Sequence, residues 1–247
     1  MKALFLAAGF STRLSPLTNE LPKGLLSVHG EPIISALLNQ VVNQPELKEV
    51  ALITNAKDYP HYHEFLRSQP AYEKISIINN GVERVEERLG AIGDLSLALD
   101  LLEWEDDVLV LPSDTLVSID LTQLLAFYHK YQSFVNVVYE AGSKDAIRNK
   151  LGCAVVVGDK LVDFVEKPAN PPTTLQSVPI YLYPAHTLPL IAEYEATGQN
   201  LDSPGAIIPW LISQTDCYAY QVQQGFYFDV GTVEMYEAIN QDPLIFS

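Results

Sequence analysis

The hydrophobic positions in the first half of the chain change their spacing from one segment to the next, which predicts strands alternating with helices. Short continuous apolar runs predict buried strands, and apolar residues three and four positions apart predict helices. The predicted strands are 2–7, 50–54, 75–78, 107–111 and 134–139, and the predicted helices are 31–43, 93–102 and 121–130. This alternation predicts a doubly wound, Rossmann-like α/β fold with a mixed, mostly parallel sheet, in which ligands bind beyond the carboxyl ends of the strands.

The second half of the chain has a less regular pattern. The Gly158-Asp159 pair suits a tight turn and predicts a hairpin of 154–157 and 161–165. Further strands are predicted at 180–183, 217–222 and 226–230, and further helices at 184–196, 204–213 and 233–239. Because no linker or repeat divides the chain, we expect a single domain over 1–247, with a strand–helix half (1–140), a small lobe (about 141–225) and a closing segment (226–247).

The amino-acid composition restricts the binding partners and the cellular compartment that can be expected. A formal net charge of −16 argues against nucleic acid or an anionic membrane as a partner. No apolar stretch approaches the length of about 18 residues that a membrane span needs. The two cysteines form no disulfide pattern, so we expect a cytoplasmic protein, with the oligomeric state left open and a homo-oligomer among the options. His61 and His63 are expected on an extended surface segment, without a third metal ligand nearby.

The first strand runs into a loop suited to an anion. The loop presents small and hydroxyl residues, namely Ala7, Ala8, Gly9, Ser11 and Thr12. Small side chains let backbone N–H groups approach an anion closely. Arg13 and Lys23 follow as isolated cations, one suited to grip two phosphate oxygens and the other a compact point charge, so the segment predicts a polyphosphate site.

Residues 7–18, followed by Pro22-Lys23, resemble the signature of the nucleotidyltransferases that make nucleotide-sugars, the sugar-1-phosphate pyrophosphorylases. The segment reads Ala-Ala-Gly-Phe-Ser-Thr-Arg-Leu-Ser-Pro-Leu-Thr, and Ser11 replaces the second glycine of the family pattern. A positive φ would cost a serine some stability at that position. The resemblance implies the nucleotide-diphospho-sugar transferase fold, with a nucleotide-binding half and an acceptor-binding lobe. It also implies a Mg²⁺-dependent reaction of a nucleoside triphosphate with a small phosphorylated acceptor, in which Arg13 and Lys23 steer the triphosphate.

Two aspartates are the metal ligands that this resemblance implies. Asp114 follows the apolar strand 107–111, where the family has Gly-Asp-Asn and this chain has Ser-Asp-Thr. Asp229 lies in a segment that resembles the family's Asp-x-Gly-Thr. Each carboxylate could instead cap a helix or a turn, and the signature loop favours the metal role.

The resemblance also implies residues for the acceptor and the base. Glu166 and Lys167 resemble the family's acceptor-binding Glu-Lys-Pro, and Gly152 resembles the glycine on which a sugar ring lies. Gly93 is the candidate for backbone contact with the base, and Arg88 is a second candidate.

The expected reaction joins a nucleoside monophosphate to a sugar-1-phosphate and releases pyrophosphate. Two departures leave the acceptor open: Val178-Pro179 precedes the strand 180–183, and residues 202–207 replace an expected Glu-x-Thr-Asp segment. One alternative is therefore a cytidylyltransferase acting on a non-sugar phosphate such as phosphocholine. The other is a catalytically silent, nucleotide-binding regulatory subunit, which Ser11 and Ser113 in place of glycines suggest. The sequence ends at residue 247 without a left-handed β-helix domain, so no acyltransferase activity is expected.

Overall fold

The computed structural model describes residues 1–223 and 225–242 of the chain. Its strands are β1 (Lys2–Ala7), β2 (Ser27–Val28), β3 (Glu31–Pro32), β4 (Glu49–Thr54), β5 (Ile75–Asn79), β6 (Val108–Pro112), β7 (Thr115–Val117), β8 (Phe134–Glu140), β9 (Cys153–Val157), β10 (Lys160–Val165), β11 (Leu175–Tyr183), β12 (Cys217–Gln221) and β13 (Tyr227–Asp229). Its helices are α1 (Ser35–Val42), α2 (Tyr59–Arg67), α3 (Gly90–Leu102), α4 (Leu121–Tyr131), α5 (Lys144–Ile147), α6 (Pro189–Ala196), α7 (Ile208–Gln214) and α8 (Val233–Gln241). None of these helices has both the length and the hydrophobicity that crossing a membrane requires.

The chain divides into two compact units. The first unit contains Ala3–Arg88, Pro112–Ser118 and the segment that begins at Gly225. In it the strands follow the order β5-β4-β1, and β4 runs parallel to β5. The apolar runs that predicted β1 and β4 are buried in the core, which explains why these strands are apolar on both faces.

A small two-stranded sheet completes the first unit. β13 pairs with β7 in antiparallel register, with Asp229 opposite Thr115. A cluster of buried apolar side chains beside it includes Leu14, Leu26, Leu116 and Val230. Because Leu14 belongs to the signature loop and Leu116 to β7, the same core supports both the small sheet and the loop.

The second unit contains Met1–Lys2, Leu89–Leu111 and Ile119–Gln224. Its strands follow the order β6-β11-β8-β12-β10-β9. β12 is parallel to β8, whereas β11 is antiparallel to both β6 and β8. Because β9 and β10 are joined by a tight turn, they form an antiparallel hairpin, and Gly158 in that turn has φ +61°.

The mixed α/β fold is confirmed, and so is the predicted hairpin of β9 and β10. The parallel sense predicted from the βαβ rhythm of the first half holds for β4 with β5. In the second half, β12 is parallel to β8, whereas β11 is antiparallel to β8. The single domain and its boundaries stay a prediction. Residues 243–247 of the predicted closing segment lie outside the described residues.

Two local predictions were wrong. The helix predicted at 31–43 begins only at Ser35, because Glu31–Pro32 pairs with Ser27–Val28 as a small hairpin. The segment with His61 and His63 is not extended but lies in α2. Residues two apart on a helix do not share a face, so the two imidazoles point in different directions.

Candidate active site

Three charged side chains from distant parts of the sequence meet in the first unit. Lys23 begins a short 3₁₀ turn after Pro22, Asp114 lies between Pro112 and β7, and Asp229 ends β13. The Lys23 Nζ atom lies 2.8 Å from Asp114 Oδ2 and 2.7 Å from Asp229 Oδ1. The β7–β13 pairing places Asp229 opposite Thr115, and this register brings the two aspartates to the same ammonium group.

The environment of these groups favours their charged forms. The Lys23 side chain is only 7% exposed, whereas those of Asp114 and Asp229 are 40% and 39% exposed. Burial by itself lowers the pKa of Lys23, but the two carboxylates outweigh it and raise that pKa above its ordinary value. Burial likewise favours a higher pKa for Asp114, and the Lys23 ammonium outweighs it and lowers that pKa. At neutral pH the site therefore holds the Lys23 ammonium group next to an ionised Asp114 carboxylate.

The signature loop forms the opposite wall of the same cavity. Ser11 adopts the left-handed conformation with φ +49°, as the glycine of the family pattern would do without strain. Its carbonyl accepts hydrogen bonds from the Leu14 N–H and the Thr18 hydroxyl, which fix the 3₁₀ turn Thr12–Leu14. Nothing lies within 4 Å of a Cβ built on Gly9, so the glycine leaves open space beside the loop.

The predicted triphosphate and metal residues line one cavity of about 280 Å³. Its lining consists of Gly9, Ser11, Thr12, Arg13, Leu14, Lys23, Asp114, Asp229, Val230 and Gly231. The buried residues Ala7 and Ala8 support the loop from behind, where their carbonyls accept hydrogen bonds from Thr54 Oγ1 and Asn55 Nδ2. The structure thus brings together the cations and carboxylates that the sequence proposed.

The two residues predicted to contact the base lie outside that lining. Arg88 is exposed after a short turn in the first unit, and its Nη1 donates to the Val85 carbonyl at 3.4 Å. Gly93 is buried within α3 of the second unit, where a Cβ would lie 3.0 Å from Leu89 Cβ. Their role in base recognition stays a prediction.

The predicted acceptor residues lie together in the second unit. Glu166 and Lys167 follow β10, and burial raises the pKa of the Glu166 carboxyl. The Ser203 hydroxyl is hydrogen-bonded to that carboxylate, and Lys167 Nζ lies 3.5 Å from Ser203 Oγ. A Cβ on Gly152 would lie 2.5 Å from Phe164 Cζ and would clash with that ring. Packing therefore requires a glycine at this position, independently of any role in ligand binding.

Sequence reasoning missed two members of this cluster. Ser203 joins Glu166 to Lys167, and a Cβ on Gly205 would lie 2.6 Å from Glu166 Oε2. Both residues belong to segment 202–207, which stood out only as a departure from the expected pattern. That departure was the available signal that the segment contributes to the acceptor lobe.

A loop of small and hydroxyl residues, a lysine and two converging carboxylates thus lie around one cavity on an α/β scaffold. The sequence model of the family described as "Nucleotidyl transferase" matches residues 2–244. The chain therefore belongs to the nucleotidyl transferase family.

Individual relatives are distant but match nearly the whole chain. The UTP–glucose-1-phosphate uridylyltransferase of Synechocystis sp. is 27% identical over 248 residues, which cover 96% of this chain and 61% of that protein. The mannose-1-phosphate guanylyltransferase of Mycobacterium tuberculosis is 27% identical over 235 residues, with 94% and 61% covered. This chain thus spans about three fifths of the length of these relatives. A crystal structure of UDP-glucose pyrophosphorylase complexed with UDP-glucose has the same fold, with a TM-score of 0.80, 20% identity and 97% of each chain covered.

Proposed function

We propose that this protein is a Mg²⁺-dependent nucleotidyltransferase that condenses a nucleoside triphosphate with a sugar-1-phosphate. A phosphate oxygen of the acceptor attacks the α-phosphorus, a new P–O bond forms, and the bond from the α-phosphorus to the bridging oxygen breaks. The products are a nucleotide-sugar and pyrophosphate. The observation that carries this proposal is the contact of Lys23 with Asp114 and Asp229 in the cavity of the signature loop.

The donor set of the cavity suits Mg²⁺. Asp114 and Asp229 offer hard oxygen ligands that are accessible to solvent. Within residues 1–223 and 225–242 no cluster of three or more His, Cys, Asp or Glu side chains could hold a metal. Two carboxylates together with substrate phosphates are the usual protein contribution to a Mg²⁺ site. When bound, the ion would neutralise charge on the phosphates.

The side chains of the chain itself align the triphosphate and neutralise its charge. Phosphoryl-group chemistry of this kind depends on positioning and electrostatic stabilisation more than on covalent help from the protein. In this proposal, phosphate oxygens are bound by the backbone N–H groups around Ser11 and Thr12 and by the exposed guanidinium of Arg13, all of which line the cavity. Lys23 supplies a positive charge in the cavity, which stabilises negative charge on the triphosphate.

In this proposal, Lys167 binds the phosphate group of the acceptor, and Glu166 binds the hydroxyl groups of the acceptor. The carboxylate of Glu166 is a hydrogen-bond acceptor for sugar hydroxyls, and its orientation is supported by Ser203. Relatives named for glucose-1-phosphate and mannose-1-phosphate support a hexose phosphate as the acceptor.

Pyrophosphate release tests this function directly. Each common nucleoside triphosphate is combined with glucose-1-phosphate, mannose-1-phosphate and phosphocholine in the presence of Mg²⁺. A productive pair with a hexose phosphate and a loss of about 10²-fold or more in Asp229→Asn support the proposal. Turnover with CTP and phosphocholine alone would instead establish the non-sugar cytidylyltransferase. Saturable triphosphate binding without turnover on any acceptor would establish a regulatory subunit.

A further inference from the structure

A buried tyrosine connects the lysine turn to the aspartate turn behind the cavity. Tyr62 lies on α2 and is 1% exposed, and it does not line the cavity itself. Its hydroxyl lies against the backbone of Gly24 and near the side chain of Ser113. Gly24 follows Lys23 directly, and Ser113 precedes Asp114.

The absence of a side chain at Gly24 makes this junction sterically feasible. A Cβ at that position would lie 2.6 Å from the Tyr62 hydroxyl and 2.5 Å from the Ser113 carbonyl oxygen. The three segments are therefore in van der Waals contact, and a change in one displaces the others.

The serine side of this junction is fixed to the first strand. The Leu6 carbonyl accepts a hydrogen bond from Ser113 Oγ at 2.9 Å and a second one from the Ser113 N–H at 3.3 Å. Ser113 is therefore held to β1, and the Tyr62 hydroxyl lies between this serine and the lysine turn.

The helix that carries Tyr62 is itself fixed to the signature loop. Asn55 Nδ2 donates to the Ala8 carbonyl at 3.2 Å and to Asp58 Oδ2 at 3.0 Å. The Asp58 N–H donates back to Asn55 Oδ1 at 2.8 Å. Both side chains are buried, so α2 has a rigid connection at its start as well as at Tyr62.

We infer that Tyr62 is a positioning residue, which sets the distance between Lys23 and Asp114 through Gly24 and Ser113. This inference rests on the proposed function for its effect on turnover. Its effect on metal binding depends only on the geometry of the two aspartates.

The substitution Tyr62→Phe tests the inference because it keeps the ring and removes only the hydroxyl. It removes the oxygen atom that lies against Gly24 and near Ser113. We expect kcat to fall about 10- to 100-fold, the range for a small misplacement of reacting groups, with KM for the acceptor unchanged. The concentration of Mn²⁺ for half-saturation, measured by electron paramagnetic resonance without nucleotide, should rise several-fold.

Tyr128→Phe is the matched control. Tyr128 is also 1% exposed, and its hydroxyl is hydrogen-bonded to Asp107, so the substitution removes an equally buried hydroxyl without touching the lysine or aspartate turns. If both variants lose similar melting temperature but only Tyr62→Phe changes kcat and Mn²⁺ binding, the positioning role is supported. Equal changes in the two variants would overturn it.

Ser113→Ala provides a second test from the aspartate side of the junction. Ser113 is 3% exposed, and its replacement should reproduce both the kcat loss and the weaker Mn²⁺ binding. A normal Mn²⁺ titration in both Tyr62→Phe and Ser113→Ala would refute the inference. If the wild-type protein binds Mn²⁺ but turns over no acceptor, the proposed function is refuted. The positioning role of Tyr62 is then decided by the Mn²⁺ titrations of the wild type and the two variants.

Discussion

Replacing Lys23 with methionine should tighten metal binding in the absence of nucleotide while abolishing turnover. The Lys23 ammonium contacts one oxygen of each aspartate, at 2.8 and 2.7 Å. A cation shared by the two carboxylates would occupy the same region. The lysine therefore competes with the metal for the two carboxylates as long as no triphosphate is bound to the ammonium group. Methionine keeps much of the length of the side chain and removes the competing charge.

The size of the effect follows from Coulomb's law. Two unit charges about 4 Å apart interact by about 1 kcal/mol in water and about 4 kcal/mol near a protein surface. Because the aspartates are 40% and 39% exposed, the value close to that in water applies. Because a divalent ion carries twice the charge, its repulsion by the Lys23 ammonium is about 2 kcal/mol. Removal of the ammonium should therefore lower the dissociation constant of the metal by about 30-fold.

The assay is a Mn²⁺ titration of Lys23→Met, without nucleotide, followed by electron paramagnetic resonance. We expect a dissociation constant about 10- to 30-fold below that of the wild type, together with a loss of about 10²-fold or more in kcat. Lys57→Met is the control, because Lys57 Nζ donates to the Thr18 carbonyl and contacts neither aspartate. If Lys23→Met binds Mn²⁺ no more tightly than the wild type, the lysine does not compete with the metal and the reasoning fails.

The remaining predictions concern the signature loop and the acceptor residues. Ser11→Gly should raise the free energy of unfolding by about 0.5–1 kcal/mol, because glycine adopts the observed φ of +49° without strain, and chemical denaturation measures this. An unchanged or lower stability would show that the serine is not strained. Ser203→Ala should raise KM for the acceptor several-fold without changing KM for the triphosphate, because Glu166 and Lys167 lose their shared partner. Gly205→Ala should have a larger effect on the same constant, since its Cβ would lie 2.6 Å from Glu166 Oε2, and equal changes in both substrates' KM values would contradict an acceptor-specific role.

The longer strands were predictable because their cause is local. Val108–Leu111 is a continuous apolar run that can only be buried on both faces, and its pattern alone predicts a central strand. The two- and three-residue strands β2, β3 and β7 are too short to produce such a pattern. Helix α2 was missed although Tyr59, Tyr62 and Leu66 have helical spacing, because the two histidines among them were interpreted as part of an extended segment.

The candidate site was predictable to the extent that a long motif carries it. Arg13 and Lys23 could be proposed from residue type, but pairing Asp114 with Asp229 required the resemblance to a family. The supporting contacts were not predictable. Gly24, Tyr62 and Ser113 come from three separate segments, and their meeting depends on the packing of the first unit. No periodicity or motif encodes such a contact.

The charges of the cavity explain why the proposed reaction needs a metal ion. The chain has a net charge of −16, and the triphosphate proposed as its substrate is a polyanion. Two positive side chains, Arg13 and Lys23, and two negative ones, Asp114 and Asp229, line the cavity, so its formal charge is zero. A neutral cavity in an acidic protein attracts a triphosphate weakly. A bound divalent cation would make the charge of the cavity positive and would release Lys23 from the aspartates. The metal ion and the triphosphate should therefore each strengthen the binding of the other by the same factor. The pairing of Lys23 with the aspartates is therefore both the means of holding the carboxylates together and the reason that triphosphate and metal should bind together.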